Sequence, residues 1–148
     1  MKKFGLLFVA LVCMFMQSVT IFADDDKFVP IEQLPAEVWT FVKENFPKSD
    51  ISFASKEIEF LGVEYEIILT NGTKINFDKK GNWEKVSCKS HNVPSSLIPT
   101  TICKFVNAHY PMTNIVKINK ERYGYEIELS NDLDLKFNNK GLLISIDD

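Results

Sequence analysis

Apolar residues recur along this chain with two alternating periods. Leu34, Val38, Phe41, Val42 and Phe46 follow the i, i+4, i+7, i+8, i+12 spacing of one helix face. Pro35 stands just inside the start, where a missing N–H costs nothing, and Pro47 ends the run. The same pattern returns 64 positions later. Ile98, Ile102, Phe105, Val106 and Tyr110 form the face, between Pro99 and Pro111. After each helix the period changes to two. Val63, Tyr65, Ile67 and Leu69 alternate with Glu64, Glu66, Ile68 and Thr70, as in a half-buried strand. Asn71-Gly72 is a hairpin signal, Lys74 to Phe77 the return strand, Asp78 to Gly81 a turn, and Trp83 to Ser87 a further strand. The second copy reads Tyr125-Ile127-Leu129, a turn at Asn131-Asp132, Leu133-Leu135-Phe137, a turn at Asn138 to Gly141, then Leu142-Ile144-Ile146.

Here the offset between copies is 60, so four residues are missing from copy two. The hairpin between the first two strands is where they should be lost, because Phe60-Leu61-Gly62 is longer than Tyr123-Gly124. The first strand breaks parity, with Ile51 and Phe53 on one side and Ile58 and Phe60 on the other, which predicts a bulge or bend. Its counterpart runs from about Ile115 to Glu121.

The expected fold is therefore α+β, built as two tandem αββββ repeats with antiparallel sheets. The predicted bounds are a lead-in at 24–33, repeat one at 34–88, a linker at 89–97 and repeat two at 98–148. A single unit of this size buries little, so the copies are expected to share a core or a sheet.

The first residues do not belong to this pattern. Lys2 and Lys3 precede a nearly continuous apolar run from Phe4 to Met16, extended by Val19 to Phe22. Ala23 and three acids, Asp24 to Asp26, follow. This is the grammar of a secretory signal over residues 1–23, with export to the periplasm or medium. Gln17-Ser18 interrupts the run, which disfavours a retained membrane anchor. Cleavage there takes away two lysines and no acids, so the formal charge falls from −3 to −5. That balance argues against nucleic acid, which needs a basic footprint, and against an anionic membrane surface.

Candidate chemistry is sparse. The exported part keeps Cys88 and Cys103, which could form one disulfide or remain two thiols. Only His91 and His109 could act as a base, and the serines near them (Ser87, Ser90, Ser95, Ser96) read as turn and cap residues. Cys88, His91, Cys103 and His109 have spacings too loose for a zinc site. Asn131, Asp132 and Asp134 resemble a fragment of a calcium loop, but they align with the Asn71-Gly72 hairpin. Glu64-Glu66 and Glu126-Glu128 fall at i, i+2 on the solvent side of their strands, so they read as an exposed acidic face. No cofactor is implied.

The remaining candidate is a binding surface. Simple alternation places Val86, Ile144 and Ile146 toward the helices, and Trp83 and Leu143 on the opposite, solvated face. Ile68, Glu66 and Glu128 would accompany them there, and such an aromatic rimmed by charge suits a partner contact.

The order of these motifs is distinctive. A signal, then two copies of Pro-helix-[Phe/Tyr]-Pro, Tyr-Glu-Ile-x-Leu hairpins (Tyr65 to Leu69, Tyr125 to Leu129) and Lys-Gly turns (Lys80-Gly81, Lys140-Gly141), resembles the PepSY-like, beta-lactamase-inhibitor-like family of secreted bacterial proteins. The resemblance implies an exported, non-enzymatic α+β protein. The expected function is binding of an envelope protein of unknown identity. The alternatives are inhibition of a periplasmic peptidase or β-lactamase, and carriage of a small apolar ligand.

Overall fold

The computed structural model describes residues 27–60 and 62–148. The predicted signal at 1–23 and the acids after it lie outside that range. Among the described residues, nine strands and two helices follow in the order β1 (Lys27–Phe28), α1 (Ala36–Asn45), β2 (Ile51–Glu59), β3 (Gly62–Leu69), β4 (Lys74–Asp78), β5 (Trp83–Ser87), α2 (Thr100–His109), β6 (Ile115–Glu121), β7 (Gly124–Leu129), β8 (Asp134–Asn138) and β9 (Leu143–Asp147). Short 3₁₀ turns at Ile31–Gln33 and Ser95–Leu97 lead into the helices.

All nine strands form one antiparallel sheet in strict chain order, β1 to β9. The halves are joined by β5 and β6, through Lys85↔Asn119, Val86↔Ile118 and Ser87↔Lys117. Both helices lie on one face. Their stripes turn inward as the spacing predicts, with Val38, Val42, Ile102 and Val106 buried. Phe77 and Phe137 are the largest fully buried side chains, each meeting a helix aromatic edge-on, Phe41 at 5.3 Å and Phe105 at 5.4 Å between centroids. One contiguous core runs beneath both helices. Among the described residues no helix is long and apolar enough to cross a membrane.

Pro35 and Pro99 occupy the residue before each helix, with ψ near 140° and no side-chain cap. Their carbonyls close the first turn, accepting from the backbone amides of Val38 and Ile102. The turn between β4 and β5 is held under the start of α1. Gly81 has φ +86°, and a Cβ there would meet the Glu37 Cβ at 2.8 Å. Only glycine satisfies both the left-handed backbone and that approach. Gly141 sits under Thr101 of α2 in the same way.

The difference between the copies falls in the predicted hairpin. β2 and β3 extend through Ile58↔Val63 and Glu59↔Gly62, whereas β6 and β7 close at Glu121↔Gly124. The bulge in the first strand lies earlier than its parity suggests, between Ile51 and Phe53, and recurs between Ile115 and Lys117.

A second pair of bulges corrects the sequence reading of the sheet faces. Phe77 pairs with Trp83 and Asn76 with Lys85, so Glu84 is an extra residue that reverses the alternation. Phe137 pairs with Leu143 and Lys136 with Ser145, which makes Ile144 the extra residue. Trp83 and Leu143 therefore pack against the core on the helix side, not on the solvated face. Ile144, expected inside, is 64% exposed.

Candidate functional site

The sheet face opposite the helices carries most of the polar side chains with room to act. Its centre is a shallow trough of about 530 Å³ across the junction of the two halves, lined by Glu66, Lys74, Asn76, Lys85, Lys117 and Glu128 among others. Pleating explains the composition, since each of these residues alternates with a buried neighbour such as Ile67, Ile75, Val86, Ile118 or Ile127. Cross-strand pairing brings opposite charges together. Lys117 Nζ donates to Glu128 Oε2 at 3.0 Å, and Lys74 lies 3.7 Å from Glu66. Lys136 lies between Glu126 at 3.8 Å and Asp147 at 3.2 Å. Burial works against the Lys117 charge, but Glu128, Asp134 and Glu126 outweigh it and hold the ammonium above its ordinary pKa. Asp134 Oδ1, beside this group, is buried without a hydrogen-bond partner.

Of the five residues expected on this face, Glu66, Glu128 and Ile68 are on it. Ile68 pairs with Phe53, and Phe53 meets Phe28 at 5.8 Å, giving an apolar corner beside the first strand. Trp83 and Leu143 are not part of it. The Trp83 ring stands 6.1 Å from Phe41 of α1, and Lys120 Nζ lies 3.7 Å above it, a cation–π contact. Burial there lowers the Lys120 pKa against the opposing pull of Glu84 and Asp78.

Cys88 and Cys103 are free thiols, so no bridge between them staples the halves. Cys88 is fully buried and Cys103 partly so. Burial raises both thiol pKa values, opposed at Cys88 by a hydrogen bond from Thr73. Neither is an activated nucleophile at neutral pH.

A cluster that sequence reasoning missed surrounds Cys88. Thr73 Oγ1 donates to its sulfur at 3.7 Å and lies 3.1 Å from His91 Nε2, with Asn71 Nδ2 3.4 Å from the same nitrogen and Ser90 Oγ 3.5 Å from Nδ1. A hydroxyl, a thiol and an imidazole are thus linked. Thr73 and Cys88 are both 0% exposed, however, which leaves a substrate no access. The cluster ties the link after β5 to the β3–β4 hairpin. Its signal lay in comparing the copies, because Leu133 stands where Thr73 does.

His109 is occupied separately, with Nδ1 2.9 Å from the Phe105 carbonyl and its ring stacked on Phe105 at 4.2 Å. Among the described residues no three His, Cys, Asp or Glu side chains are grouped to hold a metal ion.

The arrangement of helices, sheet and turns has relatives. A family model described as "Putative beta-lactamase-inhibitor-like, PepSY-like" matches residues 23–62 and 63–145. The chain belongs to this family. Solved structures agree. A "putative calcium-regulated periplasmic protein" of Bacteroides thetaiotaomicron is 45% identical, with a TM-score of 0.80, covering 85% of this chain and 99% of its own. A "putative periplasmic protein" of Bacteroides vulgatus is 40% identical, with a TM-score of 0.79 and the same coverage. Another from that organism, described as of unknown function, is 29% identical with a TM-score of 0.80, covering 83% of this chain and 99% of its own. No curated protein matches the chain. This PepSY-like protein is periplasmic or secreted.

Proposed function

We propose that this PepSY-like chain is a non-enzymatic binding protein of the envelope, made of two copies of one αββββ unit, and that it engages a protein partner through the helix-free face of its sheet. The observation that carries this reading is the trough between Glu66 and Glu128. It lies on a broad sheet surface, presents alternating lysines and acids, and spans both halves. Mixed charge of this kind selects partners by complementarity rather than by a single deep pocket. The buried Thr73–Cys88 pair and the raised thiol pKa values favour a non-catalytic role.

The test is paired capture from envelope extract, using the exported protein and its Lys85→Glu, Lys89→Glu double variant. Both lysines line the trough and neither is in the core. A partner held by this face should be lost from the variant by more than tenfold at an unchanged melting temperature. Equal recovery by both proteins would remove the face from the account.

Hydrolase inhibition is the second reading, favoured by the family description. A direct assay against periplasmic peptidases and β-lactamases distinguishes it from passive binding. Carriage of an apolar ligand is disfavoured, because Phe77, Phe137, Ile67, Ile75, Ile102 and Leu135 fill the layer between helices and sheet. The calcium regulation named for the Bacteroides thetaiotaomicron protein is not carried over. Around the orphaned Asp134 oxygen, Glu128 is already engaged by the Lys117 ammonium, and a cation would meet that charge.

A further inference from the structure

The two halves end differently, and the difference specifies a ligand. In the first half, β5 pairs with β4 on one edge and with β6 on the other. In the second half, β9 pairs with β8 in the same register. Lys136↔Ser145, Leu135↔Ile146 and Asp134↔Asp147 repeat Asn76↔Lys85, Ile75↔Val86 and Lys74↔Ser87. The bulge repeats as well. What is missing is the counterpart of β6, since no described strand pairs with the outer edge of β9. Val86 and Ile118 face one another at 0% exposure, whereas Ile146, in the place of Val86, is 48% exposed. Leu142 and Ile144, close to it in sequence, are 61% and 64% exposed.

Edge strands in soluble proteins are commonly blunted by lysine, proline or a bulge; β9 has no lysine or proline, and its bulge at Ile144 precedes the Ser145–Asp147 stretch that repeats the paired edge of β5. We propose that the outer edge of β9 receives an extended segment of a partner protein as a tenth, antiparallel strand. The interior β5–β6 pair defines the segment. An apolar residue lies across from Ile146, as Ile118 lies across from Val86, and a basic residue, sharing the Asp147 carboxylate with Lys136 at 3.2 Å, lies across from Asp147, as Lys117 lies across from Ser87. Main-chain hydrogen bonds supply affinity and these two side chains supply register. A second copy of this chain is the poorer occupant. The free sheet edges it offers among the described residues are β1, only two residues long, and β9, which holds no basic residue to set across from Asp147. This inference is independent of the trough, which lies on the sheet face at the junction and not on its last edge.

The probe is the chain's own β6 sequence, residues 114–121, as a labelled synthetic peptide titrated into the whole exported protein. Saturable binding is expected, with hydrogen-exchange protection appearing in residues 143–147. Peptide carrying Ile118→Ser should bind at least tenfold more weakly, a comparison that leaves the protein unaltered. Ile146→Lys in the protein should weaken binding as much without lowering the melting temperature, because that side chain is half exposed. Absence of binding at millimolar peptide, or protection confined to other strands, would overturn the proposal. Concentration-dependent dimers abolished by Ile146→Lys would overturn it too, by assigning the edge to a second copy. Binding that survives Lys85→Glu, Lys89→Glu but not Ile146→Lys would separate this edge from the trough.

Discussion

The first half of the molecule, α1 to β5, and the second, α2 to β9, use the same parts in different surroundings. Both seat a helix aromatic on a buried phenylalanine, place a proline ahead of each helix, and hold a glycine turn under the helix start. They diverge where one half meets the other. Val86 is sealed by β6, while its equivalent Ile146 is open. Thr73 ties His91 and Cys88 together where the second half has Leu133. Trp83 carries Lys120 from β6 on its ring, and among the described residues no strand lies beyond β9 to do the same for Leu143. Shared residues thus build the unit, and the differing ones join it to its neighbour or leave it unjoined.

The sharpest way to break this comparison is to place a charge at the two equivalent positions. Val86→Lys should abolish folding, because an unpaired charge buried at 0% exposure costs several kcal/mol, about 3–5 or more. Ile146→Lys should change stability by less than about 0.5 kcal/mol, as surface changes do. Urea denaturation of both variants measures the contrast, and equal losses would show that β9 is as enclosed as β5.

Next in size is the aromatic pair. Phe77→Ala and Phe137→Ala should each cost about 3–5 kcal/mol by the same measurement. Each should also lower the midpoint of one cooperative transition, because a single core spans both halves. Two separate transitions would mean that the halves fold independently.

Trp83→Ala should cost about 2 kcal/mol, and Leu143→Ala about 1 kcal/mol, by differential scanning calorimetry. A tryptophan on the solvated face would have cost almost nothing.

The smallest effect is acid sensitivity of the turns. Burial raises the Asp78 carboxyl, but hydrogen bonds from the Asn82 side chain, the Asn82 and Lys80 amides, and the Lys80 charge together hold it below its usual value of 3.8. A depressed pKa contributes stability above the unfolded value, and that contribution is lost as pH falls through the folded one. Asn138 accepts the same amide hydrogen bonds from Lys140 and Leu142 in the second half without a charge. Asp78→Asn should therefore reduce the fall in melting temperature between neutral pH and pH below 3.8 slightly. An unchanged pH profile would show that the charge of Asp78 adds nothing.

Much of the fold was legible because its determinants are local. Proline placement, the 3.6-residue stripes and the Asn71-Gly72 signal act within a few residues, and the aligned copies located the longer hairpin at Phe60. At Asn131-Asp132 the same alignment pointed to a turn, and Asp132 indeed adopts φ +67° there. The faces of β5 and β9 were not legible. Glu84 and Ile144 each add one residue opposite a gap in the partner strand, and only pairing reveals such a bulge. That single residue moved Trp83 from the expected contact surface into the wall beneath α1. Pairing of β5 with β6 was equally hidden, because it joins segments separated by α2. The trough and the open edge both follow from that pairing.

The most direct test of the account is native-state hydrogen exchange, resolved by residue, on the free protein. From Lys85 to Ser87 β5 is paired on both edges, so amides of residues 85–87 should exchange only with global unfolding. Outward-facing amides of residues 143–147 should exchange orders of magnitude faster, and slow when the β6 peptide is added. Equal protection of β5 and β9 in the free protein would contradict the claim that the second half keeps an unfilled edge.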